Sequence, residues 1–172
     1  MNIKLIATAG FLLILTACMS TSAPQGADAS AWSNYKAWYK ANPEPNTGDP
    51  TGYLGNVHEG LNAYRDIFVN STGEPTNRGT GGFPYPPGSI IVKESFSNLA
   101  AYEEQRSPDL TIMLKLGRGD SPETNDWEYI MGAAGNNRGT GTSGLATFCH
   151  GCHTNAANTD YSFINSAFYQ NQ

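Results

Sequence analysis

Two thiols and an imidazole stand close together late in the chain, in Cys149-His150-Gly151-Cys152-His153. The spacing C-x-x-C-H is the one that attaches c-type haem. The two cysteines bond to the two vinyl groups of the porphyrin. The histidine directly behind them then sets its imidazole under the iron, on the face that the thioethers hold. Other chemistry uses part of the same pattern. A C-x-x-C pair forms a disulfide or a thioredoxin-like redox couple, and zinc binds thiolates together with imidazoles. A structural zinc site needs four protein ligands, however, and the one remaining cysteine is Cys18. With three histidines in 172 residues, chance seldom puts one directly after the second cysteine. Covalent haem c is therefore the expected use, with Cys149 and Cys152 as attachment points and His153 as the axial ligand. His150 falls inside the attachment loop and is expected at the surface.

Cys18 has a different setting. Lys4 precedes an apolar run from Leu5 to Leu15, too short to span a bilayer comfortably, and Leu15-Thr16-Ala17-Cys18 follows. This is the pattern of a signal peptide, residues 1–17, that ends in a lipobox with Cys18 as the acylated residue. Several acyl chains, at about 0.8 kcal/mol per buried CH₂, hold a protein firmly on a membrane. Met19 rather than Asp follows the cysteine, as in lipoproteins sorted to the outer membrane. Residues 18–30 are small and polar and read as a flexible tether, which leaves 31–172 as the haem domain. The expected location is the outer membrane facing the periplasm, with the lipid as the only membrane contact. Haem c is attached after export, which agrees with that location.

Composition narrows the class further. The net charge is -5, and charged residues make up 15% of the chain. Ten dispersed Lys and Arg build no basic face, which argues against a nucleic-acid partner. Nineteen Gly and ten Pro imply many turns in a folded chain.

The elements that must position these groups are legible in part. Residues 30–41 carry Trp32, Tyr35 and Tyr39 at i, i+3 and i+7 behind Ser30, a short amphipathic helix by pattern. Residues 58–70 are ambiguous between helix and strand, and 71–88 form a long Gly/Pro loop. Ser89 to Phe96 follows the turn Pro86-Pro87-Gly88 and alternates. Ile90, Val92 and Phe96 face one way, with Glu94 at a fraying end, and Ile91, Lys93 and Ser95 face the other. Leu110 to Leu116 and Trp127 to Met131 read as two more strands. Residues 144–157 suit a helix capped by Thr142 or Ser143. The fold class is α+β, mainly an antiparallel sheet with flanking helices.

These features together resemble a family. The strand Pro84-Tyr85-Pro86-Pro87-Gly88-Ser89-Ile90-Ile91-Val92-Lys93-Glu94, the later Asp126-Trp127-Glu128-Tyr129 and the C-terminal haem motif resemble cytochrome P-460 and its relative, the β-sheet cytochrome c′ (c′-β), over about 58–163. Ordinary small cytochromes c carry the motif early and a methionine ligand far downstream, whereas no Met follows Met131 here. Four-helix cytochromes c′ need four long helices, which the three strands and the Gly/Pro content forbid.

The resemblance implies a five-coordinate haem c with an open side for hydroxylamine or nitric oxide, a periplasmic electron carrier as partner, and a homodimer. It places Lys93 where the P-460 branch links a lysine to the porphyrin ring, and Arg65 where the family has a distal-pocket arginine. Thr111 falls where the hydroxylamine-oxidising branch has an acid, and a hydroxyl cannot serve as a carboxylate base. Two alternatives to an oxidoreductase stay open. One is a carrier or gas-binding protein without turnover, with His58 as a possible sixth ligand. The other is a lipoprotein with a C-x-x-C disulfide and no haem. Tyr64, Phe68, Phe83 and Phe96 are candidates to crowd the pocket. The pentapeptide Asn-Arg-Gly-Thr-Gly occurs at 77–81 and 137–141, so Arg78 or Arg138 is a candidate to hold a haem propionate.

Overall fold

A computed structural model describes residues 27–171, apart from Asn56 and Glu59. The expected signal peptide, Cys18 and most of the tether lie outside the described residues. The strands pair in chain order into one antiparallel sheet: β1 (Tyr39–Lys40), β2 (Tyr64–Val69), β3 (Ile90–Phe96), β4 (Asp109–Lys115), β5 (Trp127–Met131) and β6 (Asn137–Gly139). Between them run α1 (Glu74–Asn77) and α2 (Leu99–Glu103), and after them α3 (Gly144–His153) and α4 (Ser166–Gln170). The α+β class expected from the sequence is the one observed.

Alternation in the strands separates two cores. On one face Phe68, Ile90, Val92, Ile112, Leu114 and Ile130 pack with Trp32 and Tyr35. On the other, Ile67, Val69, Ile91, Met113, Trp127 and Tyr129 pack with Tyr85, Ala146 and Cys149. The first face is closed by the N-terminal segment. Trp32 Nε1 donates to the Ala133 carbonyl at 3.0 Å, and the Tyr35 hydroxyl donates to Glu94. Gly135, at φ 68°, lies beneath the indole, where an added Cβ would sit 2.6 Å from the Trp32 ring.

Two expectations fail here. Residues 30–41 form no amphipathic helix. They make two 3₁₀ turns, Ala29–Trp32 and Tyr35–Ala37, and then enter β1. Asp28, not Ser30, is the cap, accepting from the Ser30 amide at 2.9 Å. A 3₁₀ turn repeats every three residues, so Trp32 and Tyr35 share a face, while Tyr39 packs on the opposite side of the sheet. Glu94 does not fray. It is 1% exposed on a strand paired on both sides, and Lys36 Nζ lies 3.0 Å from its carboxylate.

The ambiguous stretch resolves as strand β2, and the 71–88 loop holds the single turn α1. The repeated pentapeptide takes two conformations, the end of α1 at Asn77 and strand β6 at Asn137–Gly139.

Candidate functional site

Helix α3 carries the C-x-x-C-H motif. Ser143 caps it with extended backbone and accepts from the Ala146 amide, as an N-cap serine does. Cys149, Cys152 and His153 are spaced i, i+3 and i+4, which puts them on one helix face. The helix packs on β5 and β6 through a close approach at Gly139. A Cβ there would lie 2.9 Å from the Ala146 amide nitrogen and closer still to the Ser143 hydroxyl. Cys149 is buried, Cys152 is partly exposed, and both thiols are free, so no disulfide joins them. Among the described residues no three His, Cys, Asp or Glu side chains are grouped to hold a metal ion.

His153 is oriented by its own backbone neighbourhood. Its Nδ1 lies 2.7 Å from the Tyr161 carbonyl. A carbonyl only accepts, so Nδ1 carries the proton and Nε2 keeps its lone pair. Burial pushes the imidazole pKa down to about 4, and the Lys93 charge adds to that. At neutral pH the ring is therefore neutral, the form that ligates metals. His150 is not a free surface group: its Nδ1 lies 3.0 Å from the Tyr129 hydroxyl, and its ring rests 4.5 Å from that of Tyr161.

Cys149, Cys152 and His153 line a cavity of about 320 Å³, within the size range of small-molecule sites. The sheet supplies another wall. In register across four strands, Ile67 pairs with Lys93, Lys93 with Thr111, and Thr111 with Met131. All four residues line the cavity, as do Arg65, His58, Tyr53, Phe148 and Phe163.

The cavity's electrostatics are one-sided. Burial, then repulsion from Arg65, pushes the Lys93 amine down to about 7. Burial, then Lys93, His153 and Arg65, pushes His58 down to about 3. Among the described residues no carboxylate lines the cavity. Arg65 is 2% exposed, and burial lowers its pKa too. Its Nη1 donates to the Gly60 carbonyl at 2.9 Å and its Nη2 to that of Gly48. The guanidinium thereby ties two loop segments to the cavity rim, rather than forming a surface ion pair.

Thus Cys149, Cys152, His153, Lys93, Arg65, Thr111 and His58 converge on one site. Other expectations are overturned. Tyr64, Phe68, Phe83 and Phe96 do not line the cavity. Phe68 packs edge-on against Tyr35 on the far face, and Tyr64 and Phe96 pack on Tyr102. Strand parity is the reason: Phe68 lies three residues from Arg65 and Phe96 three from Lys93, so neither can share its partner's face. Phe83 lies outside the strands, against Tyr85. Arg138 forms a bidentate pair with Glu128 at 2.6 and 2.5 Å and donates to the Ala27 carbonyl. Arg78 pairs with Glu74 and lies 3.8 Å over the Tyr39 ring. Neither arginine lines the cavity, and each is already paired with a carboxylate rather than left free for a propionate. His58, named from the sequence only as a possible sixth ligand of a carrier, stands at φ 56° and lines the cavity. The glycines at 55 and 60 that bracket it were the available signal of a tightly turned loop.

A free thiol pair one helical turn apart, an imidazole with its lone pair available, and an apolar cavity between them form a donor set that fits a haem. A family model described as Cytochrome P460 matches residues 32–164. No curated protein matches the chain. The chain belongs to the cytochrome P460 family, and that membership implies a haem cofactor.

Proposed function

Starting from membership of the cytochrome P460 family, we propose that the chain carries one covalently attached haem c and binds a small nitrogen ligand, hydroxylamine or nitric oxide. The observation that carries this reading is the single cavity shared by the attachment helix and the cluster of Lys93, Arg65 and His58. Cys149 and Cys152 would hold the porphyrin, and His153 Nε2 would ligate the iron. Bound there, the haem would supply an iron able to take a small ligand and one-electron redox chemistry.

The chain's own groups then divide the work. His153 keeps a fixed tautomer. Tyr53, Phe148 and Phe163 keep the cavity narrow and apolar. Arg65 contributes fixed positive charge beside the ligand. Lys93, near half-neutral at pH 7, is the candidate for the ring link of the P-460 branch. His58, held neutral by burial and the neighbouring cations, offers one donor and one acceptor nitrogen to the cavity.

A second reading has its own support. Thr111, directly across from Lys93, stands where the hydroxylamine-oxidising branch has an acid. That favours a gas-binding or electron-carrying protein of the c′-β kind, without turnover. In either case the proposed setting is a periplasm-facing lipoprotein anchored through Cys18, dimeric, and served by a soluble electron carrier. The C-x-x-C-H motif and the lipobox support the anchored, periplasm-facing setting, and the dimer and the carrier rest on the family resemblance.

The test is the optical spectrum of the reduced protein beside that of Lys93→Ala, each titrated with nitric oxide and hydroxylamine. A broad, red-shifted Soret band that reverts on substitution establishes the ring link. Ordinary high-spin bands in both, with nitric oxide bound, establish the c′-β-like reading. A preparation without haem bands contradicts both.

A further inference from the structure

The carbonyl that orients His153 belongs to a turn of unusual backbone. Asp160 and Tyr161 are consecutive left-handed residues, at φ 50° and 65°. Asp tolerates that region, whereas a bulky residue such as Tyr seldom enters it. The Tyr161 amide closes the turn by donating to the Ala156 carbonyl at 2.8 Å. Such a backbone persists only where its surroundings over-determine it, and here they do. Asp160 is 4% exposed. Lys115 Nζ lies 2.9 Å from both of its carboxylate oxygens. Asn125 Nδ2 donates to one oxygen at 2.6 Å, and the Tyr85 amide to the other at 2.8 Å. The Asp160 carbonyl accepts from Trp127 Nε1 at 2.9 Å. A buried ion pair is weak evidence for stability, and its better-attested use is to specify one arrangement.

We propose that the buried Lys115–Asp160 pair is a positioning device for the axial histidine. By fixing the left-handed turn, it keeps the Tyr161 carbonyl on His153 Nδ1 and so sets how strongly Nε2 donates to iron. The inference rests on His153 being the axial ligand of the proposed haem. Neither Lys115 nor Asp160 lines the cavity, so the pair's contact with His153 runs through the Tyr161 carbonyl of the turn, and the stretching band reads that contact beside any through-space effect of charge on the potential. A hydrogen bond at Nδ1 raises the basicity of the ligating nitrogen. A stronger donor favours ferric over ferrous iron.

The experiment uses the haem-loaded full chain as wild type, Asp160→Asn, Asn125→Ala and Glu128→Gln. The last breaks the Arg138 pair on the opposite face of the sheet and serves as the structural control. The readouts are the reduction potential and the iron–histidine stretching band of the ferrous protein. Asp160→Asn is expected to raise the potential and lower the stretching frequency. Asn125→Ala moves both in the same directions by less, and decides the matter alone if Asp160→Asn fails to fold. Glu128→Gln leaves both unchanged even if it lowers the melting temperature. Wild-type values in both Asp160→Asn and Asn125→Ala overturn the inference, as does an equal shift in Glu128→Gln. A wild-type protein that binds haem but shows no iron–histidine band refutes the axial-ligand reading and this inference with it. A normal wild-type band that the two variants fail to move refutes this inference alone.

Discussion

The two faces of the sheet are built from the same strands and differ by one residue of offset. On the closed face Val92 and Leu114 are at most 1% exposed and pack under Trp32 and Tyr35. On the open face their strand neighbours are Lys93 and Lys115, one at the cavity and one in the buried pair that braces the His153 turn. Each strand therefore serves stability through one set of alternate residues and chemistry through the other. The closed face tolerates buried carboxylates because each is partnered, Glu94 by Tyr35 and Lys36, Asp66 by Asn42 and Lys40, and Glu128 by Arg138. The open face gathers Lys93, Arg65 and His58 around the cavity with no acid among its described lining residues. That arrangement costs folding energy, since mutually repelling groups are desolvated together.

The sharpest way to break this division is to substitute neighbours and look for effects that cross over. The largest effect belongs to the closed face. Leu114→Ala removes a fully buried side chain and should destabilise the protein by about 2–5 kcal/mol, measured by denaturant unfolding, while the haem spectrum stays that of wild type. A spectral change of the size caused by Lys93→Ala would show that the faces are not separable.

Gly139→Ala comes next. The added methyl meets the first turn of α3, and overpacking of this kind costs about 1–3 kcal/mol. It should also perturb the haem bands, because the helix that moves carries the attachment motif. Destabilisation without a spectral shift would mean that β6 does not set the helix position.

The smallest effect per step is a pH slope, at most about 1.4 kcal/mol per pH unit. Lys93 sits at about 7 in the folded, haem-free chain, down from its usual 10.5. Between those values the unfolded chain binds a proton that the native chain does not, so stability rises with pH across that window. Lys93→Met should flatten the slope between pH 7 and 10 in haem-free protein. An unchanged slope would place the ammonium in solvent.

Much of this was legible beforehand because it is local. The C-x-x-C-H motif and its serine cap lie within eleven residues, 143–153. The strands around Lys93, Lys115 and Trp127 announce themselves by alternation, and a single alternating strand already separates Lys93 from Val92. What was not legible depended on long-range contact. Residues 30–41 have a helical pattern, but burying Trp32 and Tyr35 against the sheet, with bonds to Ala133 and Glu94, overrides it. Arg138 looked like an anion anchor until its partner Glu128 was found across the β5–β6 pairing. His58 turned inward because a loop with left-handed backbone wraps the rim, and local pattern does not encode where such a loop closes. The mistaken pocket aromatics were avoidable, since parity along β2 and β3 excludes Phe68 and Phe96 from the face of Arg65 and Lys93.

The most direct test of the account is the intact mass of protein matured in a host competent for cytochrome c assembly, taken after acid–acetone extraction, beside that of a Cys149→Ala/Cys152→Ala variant. The account predicts that the wild-type chain retains the mass and colour of one haem and that the double variant retains neither. A wild-type chain that emerges colourless, at the mass of its amino acids and any lipid alone, would contradict it.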